Sequence, residues 1–256
     1  MAKSMFNLAG RVALVTGAAR GLGFAMARAL GEFGARLALF DIDNASVQSA
    51  AKTLSNDGFE VLNLHGDVTN VSDVTKCIEN VVNKYNSLDI VVNNAGIVYN
   101  APAEEMSLKE WKQVIDVNLT GVFLVSQVAG RQMIKQKSGN IINIASMSGS
   151  IANFPQPQCA YNASKAGVIL LTKSLASEWV QHNIRVNSIS PGYMNTHLTA
   201  KGLQNPDYAQ HWRTLTPMHR VGEPHELTGL VVFLASDASS YVTGSDILID
   251  GGYTMR

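Results

Sequence analysis

Tyr161 and Lys165 stand four residues apart at the start of a segment that continues, at residues 168–171, as an apolar run. On a helix, residues four apart lie on one face, about 6 Å apart along the axis, so a phenol and an ammonium can serve one reaction centre. Acid or base chemistry at neutral pH requires that the phenol pKa of about 10 fall by roughly 3 units, or about 4 kcal/mol. A lysine beside it carries the charge that lowers this pKa. Since a core tyrosine and a solvated lysine also occur at this spacing, the interpretation depends on the surrounding elements.

A short strand, a glycine turn and a helix near the N-terminus are typical of a dinucleotide site. Residues 11–15 form a largely apolar run, and the turn that follows has the spacing Gly-x-x-x-Gly-x-Gly. Such a turn lets the backbone approach a pyrophosphate, and the helix that it opens offers unpaired N–H groups and a partial positive charge. A glycine turn that binds nothing is the alternative. The strand-to-helix context favours cofactor binding by Gly17, Arg20, Gly21, Leu22 and Gly23.

Asp41 ends a second predicted strand, residues 35–40, about 20 residues past the glycine turn, where an acid can hydrogen-bond both hydroxyls of a ribose. A carboxylate there would repel a 2′-phosphate, which favours NAD over NADP. Arg20, inside the phosphate turn, could face a 2′-phosphate, so NADP stays possible. A further alternative makes Asp41 a turn residue before Asp43 and Asn44, which cap the next helix.

Predicted strands and helices alternate along the whole chain. Alternating units of this kind build a parallel sheet that is covered by helices on both faces and binds ligands beyond the carboxyl ends of its strands. We therefore predict an α/β fold, a single-domain Rossmann-type doubly wound parallel sheet of about seven strands over residues 1–256, with 194–223 inserted as a substrate lid. The remaining predicted strands are 59–64, 88–92, 141–145, 184–189 and 247–249, and the remaining helices are 47–54, 74–85, 107–136, the segment from Tyr161, and 226–235.

Small and polar residues follow several of these strands, where the ligand crevice is expected. Asn118 is a separate case, because it lies inside the predicted helix 107–136, where asparagine is unfavourable unless its side chain has a task. Tight turns and loop-forming serines are the alternative at the strand ends. The strand-end candidates are Asp67 and Val68 after the third strand, Asn94, Ala95 and Gly96 after the fourth, Ser146 and Ser148 after the fifth, and Pro191, Gly192, Met194 and Thr196 after the sixth.

Composition disfavours several other classes of protein. Of the 256 residues, 46% are apolar and 16% charged, and 20 basic residues balance 20 acidic ones. This is typical of a globular protein whose main partner is neither nucleic acid nor an anionic membrane. The chain lacks a recognisable secretion signal and any stretch as long as a membrane span, so we expect a cytoplasmic protein. Cys77 and Cys159 lack metal-ligand spacing, so both are expected to be free thiols, with Cys159 a small buried side chain, and no metal site is predicted.

Four spaced motifs resemble the short-chain dehydrogenase/reductase family across essentially the whole chain. They are Thr16-Gly17-x-x-x-Gly21-x-Gly23, Asn93-Asn94-Ala95-Gly96, Tyr161-x-x-x-Lys165 and Pro191-Gly192. The resemblance implies a Rossmann-type fold, a nicotinamide cofactor, and oxidation of a secondary alcohol or reduction of a ketone. It also implies a catalytic set, of which Tyr161 and Lys165 contact the cofactor as well; this set is Asn118, Ser146, Tyr161 and Lys165.

Ser146 and Ser148 compete for the place of the catalytic serine. The family's usual gap from serine to tyrosine is shorter than the gap between Ser146 and Tyr161, and Ser148 fits it. The strand-end pattern Ser-x-x-Gly instead aligns Ser146 with Gly149 and leaves two extra residues in the loop 151–160. We expect Ser146 to be catalytic and Ser148 to face the substrate.

Loop sequences narrow the resemblance to sugar-alcohol (galactitol-type polyol) dehydrogenases of this family. Residues 146–156, 216–218 and 251–254 carry the likeness. It implies a polyol or ketose substrate and, by similarity, a homotetramer. The expected substrate contacts are Ser146, Ser148 and Tyr161, together with Asn153, Gln158 and Tyr193 as pocket donors for sugar hydroxyls.

In the expected oxidation, Tyr161 as phenolate takes the hydroxyl proton while hydride leaves the same carbon for the nicotinamide. Ser146 hydrogen-bonds the reacting oxygen, Lys165 lowers the phenol pKa and binds the nicotinamide ribose, and Asn118 holds a water between Lys165 and solvent. Two rivals are a dinucleotide-binding regulator without chemistry and a 3-oxoacyl thioester or other small-ketone reductase that uses NADP(H). The presence of Tyr161 and Lys165 argues against the first, and Asp41 and the polar loop residues argue against the second.

Overall fold

Within residues 2–255, which the computed structural model describes with side chains for residues 4–255, seven strands form one parallel sheet. They are β1 (Val12–Thr16), β2 (Arg36–Asp41), β3 (Val61–His65), β4 (Ile90–Asn93), β5 (Gly139–Ile144), β6 (Ile184–Pro191) and β7 (Asp246–Ile249). The spatial order is β3-β2-β1-β4-β5-β6-β7, so the winding direction reverses between β1 and β4, where ligands of such folds bind. The predicted doubly wound parallel sheet is confirmed; residues 1 and 256 of the predicted domain lie outside the described residues.

Helices cover both faces of the sheet. They are α1 (Ala2–Met5), α2 (Gly21–Glu32), α3 (Asn44–Asn56), α4 (Val71–Tyr85), α5 (Leu108–Ile115), α6 (Gly121–Gln136), α7 (Cys159–Trp179), α8 (Ala200–Gln204), α9 (Pro206–Leu215) and α10 (Thr228–Ala235). In β1, Ala13 and Val15 pack in one core with α2, α3 and α10. The alternate residues Val12 and Leu14 pack in a second core with α4, α6 and α7. Because every residue of β1 is buried, the strand is apolar from Val12 to Val15 and does not alternate with polar residues; only the last residue, Thr16, is polar.

Side-chain caps decide where two of the helices begin. Asp43 accepts a hydrogen bond from the Ser46 N–H at 3.0 Å and caps α3. Ser107 and Glu110 form a reciprocal capping box at the start of α5. Replacing such a cap by alanine costs about 1 kcal/mol. The caps predicted at Asp43 and Ser107 are confirmed, whereas the prediction that Asn44 also caps α3 was wrong, because Asn44 is the first residue of the helix.

Two predicted segments differ from the structure. The predicted helix 107–136 is confirmed as helical from Leu108 to Gln136, but a π turn at Asp116–Thr120 interrupts the α-helical hydrogen bonding between α5 and α6. Such turns are frequent at functional sites. The predicted lid, 194–223, contains the two short helices α8 and α9. No helix within residues 2–255 is long and apolar enough to cross a membrane.

Candidate active site

The glycine turn between β1 and α2 leaves space that side chains would fill. Gly17 and Gly21 have φ values of +60° and +58°, in the left-handed region that favours glycine. A Cβ on Gly23 would lie 2.2 Å from the Gly17 carbonyl oxygen. The Arg20 side chain makes no capping hydrogen bond at the start of α2, so the first helical N–H groups, including that of Leu22, remain available to a phosphate. These residues therefore fit the pyrophosphate of a dinucleotide.

Asn94 and Thr16 hold this turn in place. The Asn94 Nδ2 donates to the carbonyl oxygens of Thr16 and Gly17, both at 3.0 Å. The Thr16 Oγ1 accepts hydrogen bonds from the N–H groups of Asn94, at 3.0 Å, and Ala95, at 3.1 Å. The Asn94 amide, a predicted cofactor contact, thus uses its two N–H groups on the glycine turn itself.

Asp41 joins the end of β2 to the glycine turn. Its Oδ2 accepts a hydrogen bond from the Ala19 N–H at 3.0 Å, and its Oδ1 accepts one from the Asp43 N–H at 3.0 Å. Each oxygen keeps lone-pair capacity for the hydroxyls of a ribose. Hydrogen bonds from Ser46 hold the pKa of Asp43 below its usual value, and the charge of Arg20 lowers it further. The Asp41 carboxylate and the exposed Arg20 guanidinium thus both lie near the end of β2.

The predicted cofactor residues after β3 pack beside the crevice. The Asp67 Oδ1 accepts a hydrogen bond from the Thr69 N–H at 2.8 Å, which closes a turn. Val68 lies against the start of α6, since a Cβ on Gly121 would come within 2.9 Å of its Cγ2. This close approach explains the need for glycine at position 121, and it keeps Val68 at the carboxyl edge of the sheet.

The predicted cofactor residues after β6 lie across from the glycine turn. Pro191 ends β6, and the Gly192 N–H donates to the Ile249 carbonyl oxygen at 3.0 Å. Met194 is buried. Thr196 faces the turn directly, because its Cβ would lie 3.8 Å from a Cβ placed on Gly21. The segment from β6 therefore closes the crevice opposite α2.

Ser146, Tyr161 and Lys165 come together at the carboxyl end of β5. The Lys165 Nζ lies 5.6 Å from the centroid of the Tyr161 ring and donates to the Ile144 carbonyl oxygen at 2.7 Å. The Ser146 hydroxyl lies close enough to the Tyr161 phenol to lower its pKa. The Ser146 Oγ also accepts a hydrogen bond from the Ser148 N–H at 3.1 Å. A hydroxyl, a phenol and an amine thus share one corner, in which Ser146 and Lys165 are buried and Tyr161 is half-buried. The pKa of the phenol responds to Ser146, and the catalytic role of Ser146 stays a prediction.

Burial sets the proton affinities in this corner. It raises the pKa of Tyr161, and the neighbouring Ser146 hydroxyl lowers it. Burial lowers the pKa of Lys165 to about 8, so the amine is still mostly protonated at pH 7. The protein alone therefore favours the neutral phenol, and the lowering of the Tyr161 pKa by Lys165 stays a prediction. Further positive charge in the crevice would favour the phenolate.

Asn118 lies in the π turn and is completely buried. Its Oδ1 accepts a hydrogen bond from the Ile97 N–H at 2.8 Å, and its Nδ2 donates to the Ile97 carbonyl oxygen at 2.9 Å and the Ser164 Oγ at 3.1 Å. A Cβ on Gly96 would lie 3.4 Å from the Asn118 Oδ1 and 3.7 Å from the Lys165 Nζ. Asn118 therefore ties the loop after β4 to α7, next to the amine, and its role in holding a water stays a prediction.

A second polar group of side chains lies beside Ser146. We call it the amide cluster; it consists of Ser148, Asn153, Gln156, Gln158 and Tyr193. The Gln158 Nε2 lies 3.3 Å from the Ser148 Oγ and 3.0 Å from the Asn153 Oδ1. The Tyr193 hydroxyl accepts hydrogen bonds from the Asn153 Nδ2 at 3.1 Å and the Gln156 Nε2 at 2.8 Å. All the residues predicted as pocket donors are thus in one network with Ser148.

Gln156 and Trp212 belong to this site but were not predicted as site residues. The Trp212 Nε1 donates to the Gln156 Oε1 at 3.1 Å. The Trp212 ring stacks on Tyr193 with centroids 4.1 Å apart and an interplanar angle of 9°. Both residues are almost fully buried. No motif or periodicity marks a buried glutamine in a loop, and Trp212 reaches the cluster only because α9 folds back over it.

The two cysteines are free thiols, as predicted. Cys77 is buried, but the expectation that Cys159 is a buried side chain was wrong, because it is exposed at the first turn of α7, with its Sγ 3.8 Å from the Met106 Sδ. Across residues 2–255, no three His, Cys, Asp or Glu side chains are grouped to hold a metal ion.

Comparison with known proteins places the chain in a family. A family model described as enoyl-(acyl carrier protein) reductase matches residues 17–254. The galactitol 2-dehydrogenase of Rhizobium johnstonii is 41% identical over 250 residues, which are 97% of this chain and 97% of that protein. The crystal structure of a short-chain type dehydrogenase/reductase from Mycobacterium marinum is 44% identical, with a TM-score of 0.95 and 99% of each chain covered. That of a gluconate 5-dehydrogenase from Burkholderia cenocepacia, in complex with NADP and tartrate, is 35% identical, with a TM-score of 0.96 and 100% of each chain covered.

The chain belongs to the short-chain dehydrogenase/reductase family, as its four motifs predicted. It is an oxidoreductase that acts on a CH–OH group, or on the ketone formed from it, with NAD or NADP as cofactor.

Proposed function

We propose that this protein is an NAD-dependent polyol dehydrogenase, which interconverts a sugar alcohol and a ketose. The observation that carries the proposal is the amide cluster, whose carboxamides and hydroxyls lie beside Ser146, at the reaction centre. These groups largely pair with one another, but they make one wall of the site polar. Such a wall favours a substrate that can hydrogen-bond to it and disfavours an acyl chain, which would desolvate it without offering a hydrogen bond. The similarity to a galactitol 2-dehydrogenase supports the same substrate class.

In the proposed oxidation, Tyr161 takes the proton of the substrate hydroxyl, and in the reverse reaction it returns the proton. Ser146, whose hydroxyl lies next to the phenol, binds the reacting oxygen. When bound, the nicotinamide accepts or supplies the hydride. Lys165 keeps a positive charge next to the phenol at neutral pH and offers N–H donors to the nicotinamide ribose. Asn118 holds the loop after β4 against α7 and a water beside Lys165.

The residues proposed to hold the cofactor line the crevice from β1 to β6. They are Gly17, Arg20, Gly21, Leu22, Gly23, Asp41, Asp67, Val68, Asn94, Ala95, Gly96, Tyr161, Lys165, Pro191, Gly192, Met194 and Thr196. NAD is the proposed preference, because the Asp41 carboxylate lies at the end of β2 and would repel a 2′-phosphate. Arg20 supports some use of NADP.

A second candidate is reduction of a 3-oxoacyl thioester or another small ketone. The description of the matching family model, enoyl-(acyl carrier protein) reductase, favours an acyl thioester as substrate, although the enoyl group named there is reduced at a C=C bond and not at a ketone. The amide cluster argues against it, because an acyl chain offers that cluster no hydroxyl partners. Turnover of 3-oxoacyl thioesters that exceeds turnover of polyols would favour this candidate.

We further propose that the protein is a homotetramer and that residues 194–223 act as a lid over the substrate. Leu108, Phe123 and Leu170 expose 67%, 38% and 67% of their surface on α5, α6 and α7, as expected for helices that pack against another subunit. Trp212 joins the lid to the amide cluster. Light scattering at micromolar concentration measures the assembly, and a monomer would contradict the first part.

One panel of assays tests the proposed function. Galactitol and other polyols, simple secondary alcohols, ketoses and 3-oxoacyl thioesters are each measured with NAD(H) and NADP(H). We expect the highest kcat/KM with a polyol or ketose and NAD(H). Tyr161→Phe should lower kcat by at least about 1000-fold, since it removes the proton acceptor, while NADH binding measured by fluorescence changes little. A Tyr161→Phe variant that keeps most of its rate would overturn the mechanism.

A further inference from the structure

The direction of each hydrogen bond in the amide cluster follows from groups that only donate or only accept. The two ends of a carboxamide are assigned from their partners. The Asn162 Nδ2 lies 3.4 Å from the Ile151 carbonyl oxygen, which can only accept. The Asn162 oxygen therefore faces Gln158, whose Nε2 donates to it at 2.9 Å.

The orientation of the Gln158 carboxamide determines that of Asn153, and Asn153 in turn contacts Tyr193. The Gln158 Nε2 also donates to the Asn153 Oδ1 at 3.0 Å. Asn153 therefore turns its Nδ2 toward the Tyr193 hydroxyl, 3.1 Å away. Tyr193 accepts this hydrogen bond, so its own proton is directed elsewhere.

The indole of Trp212, on the lid, independently indicates that the Tyr193 hydroxyl accepts hydrogen bonds. The indole N–H of Trp212 can only donate, so it places the oxygen of Gln156 toward itself and the Gln156 Nε2 toward Tyr193. The Tyr193 oxygen thus accepts two hydrogen bonds. The Tyr253 ring meets Tyr193 edge-on with centroids 5.4 Å apart. The capacity of the Tyr193 oxygen to accept hydrogen bonds is therefore filled by Asn153 and Gln156.

Gln158 differs from Tyr193, because one of its polar atoms has no partner. Its Nε2 faces three acceptors, on Ser148, Asn153 and Asn162. Its Oε1 accepts no hydrogen bond from any described residue. This oxygen is nevertheless accessible to solvent, since the buried side-chain atoms without a partner lie on other residues. The residue as a whole is only 8% exposed, so this oxygen is open to a ligand while the rest of the side chain is held.

We propose that the Gln158 side-chain oxygen accepts a hydrogen bond from a second hydroxyl of the substrate, and that Tyr193 positions the amide cluster and accepts no hydrogen bond from the substrate. The substrate must then carry a hydrogen-bond donor at one carbon besides the reacting one. This differs from the expectation that Gln158 is a donor to sugar hydroxyls. The inference rests on the proposed polyol activity and adds to it the direction of one specificity-determining hydrogen bond.

Substrate analogues test the direction. For the best polyol of the panel, each hydroxyl other than the reacting one is replaced in turn by hydrogen or by fluorine, which cannot donate. With the wild type, we expect one position at which both the deoxy and the deoxyfluoro analogues lose about 10- to 100-fold in kcat/KM. If instead the deoxy analogue loses activity at a position where the deoxyfluoro analogue is used as well as the polyol itself, the enzyme donates a hydrogen bond to that hydroxyl, and the proposal is overturned.

Variants test the residue. Gln158→Leu should use the polyol and those two analogues with kcat/KM values within about threefold of each other, whereas Gln48→Leu, an exposed glutamine on α3, should discriminate as the wild type does. This ratio is measured within one variant, so it does not depend on the folded fraction, and Gln158→Met serves if Gln158→Leu does not fold. If these Gln158 variants still prefer the polyol over the two analogues as strongly as the wild type does, Gln158 is not the residue that accepts the hydrogen bond, and the proposal is refuted. A wild type that prefers simple secondary alcohols would refute the polyol function as well.

Discussion

The buried amine of Lys165 should make the stability of the cofactor-free protein depend on pH. Burial lowers its pKa from the usual 10.5 to about 8. The pKa in the folded state lies below that in the unfolded state, so burying the protonated amine costs free energy on folding. This desolvation cost is present in full at pH values below 8, and it is relieved as the pH rises from 8 toward 10.5. At 1.36 kcal/mol per unit the full cost is about 3 kcal/mol, of which about 2 kcal/mol is relieved between pH 7 and pH 9.5.

Urea unfolding of the cofactor-free wild type and of Lys165→Met, at pH 7 and pH 9.5, measures this cost. Relative to the variant, the wild type should gain about 2 kcal/mol in unfolding free energy between the two pH values. Groups that titrate in both proteins cancel in this difference. Lys173→Met is the matched control, because Lys173 is exposed on the same helix, and its substitution should give no such dependence on pH.

A wild-type gain of less than about 0.5 kcal/mol relative to Lys165→Met would refute the reasoning, since that is the usual error of such differences. The Lys165 amine would then be solvated or ion-paired in the folded protein, contrary to its burial and its hydrogen bond to the Ile144 carbonyl oxygen.

Three further substitutions test the crevice. Gly23→Ala should weaken NADH binding, measured by fluorescence, and cost about 1–3 kcal/mol in stability, because its Cβ would lie 2.2 Å from a backbone oxygen of the glycine turn; Gly229→Ala, with no atom within 4 Å, should do neither. Asn118→Ala should lower kcat and cost about 1–3 kcal/mol in urea unfolding, since the Ile97 N–H and carbonyl lose their partner; unchanged stability would contradict this. Asp41→Ala should raise the NADP-to-NAD ratio of kcat/KM by at least about tenfold, because it removes the charge that repels a 2′-phosphate, and a constant ratio would show that Asp41 does not decide.

The sequence by itself determined the fold and the family. Strand and helix patterns, the glycine turn and the cap residues act over a few neighbouring positions, so they are legible in the chain. Asp43 and Ser107 cap the helices for which they were predicted. Tyr161 and Lys165, four residues apart, meet on α7 for the same local reason.

Only the tertiary structure decided how the polar side chains divide the work. The π turn that holds Asn118 depends on Ile97, 21 residues away, and Asn94 is committed to the glycine turn, 77 residues away. Gln156 and Trp212, 56 residues apart, meet only when α9 folds over the loop before α7. Burial, which follows from the packed sheet and helices, raises the pKa of Tyr161 and lowers that of Lys165. Hydrogen-bond direction and desolvation both arise from contacts between distant parts of the chain, so no local pattern encodes them.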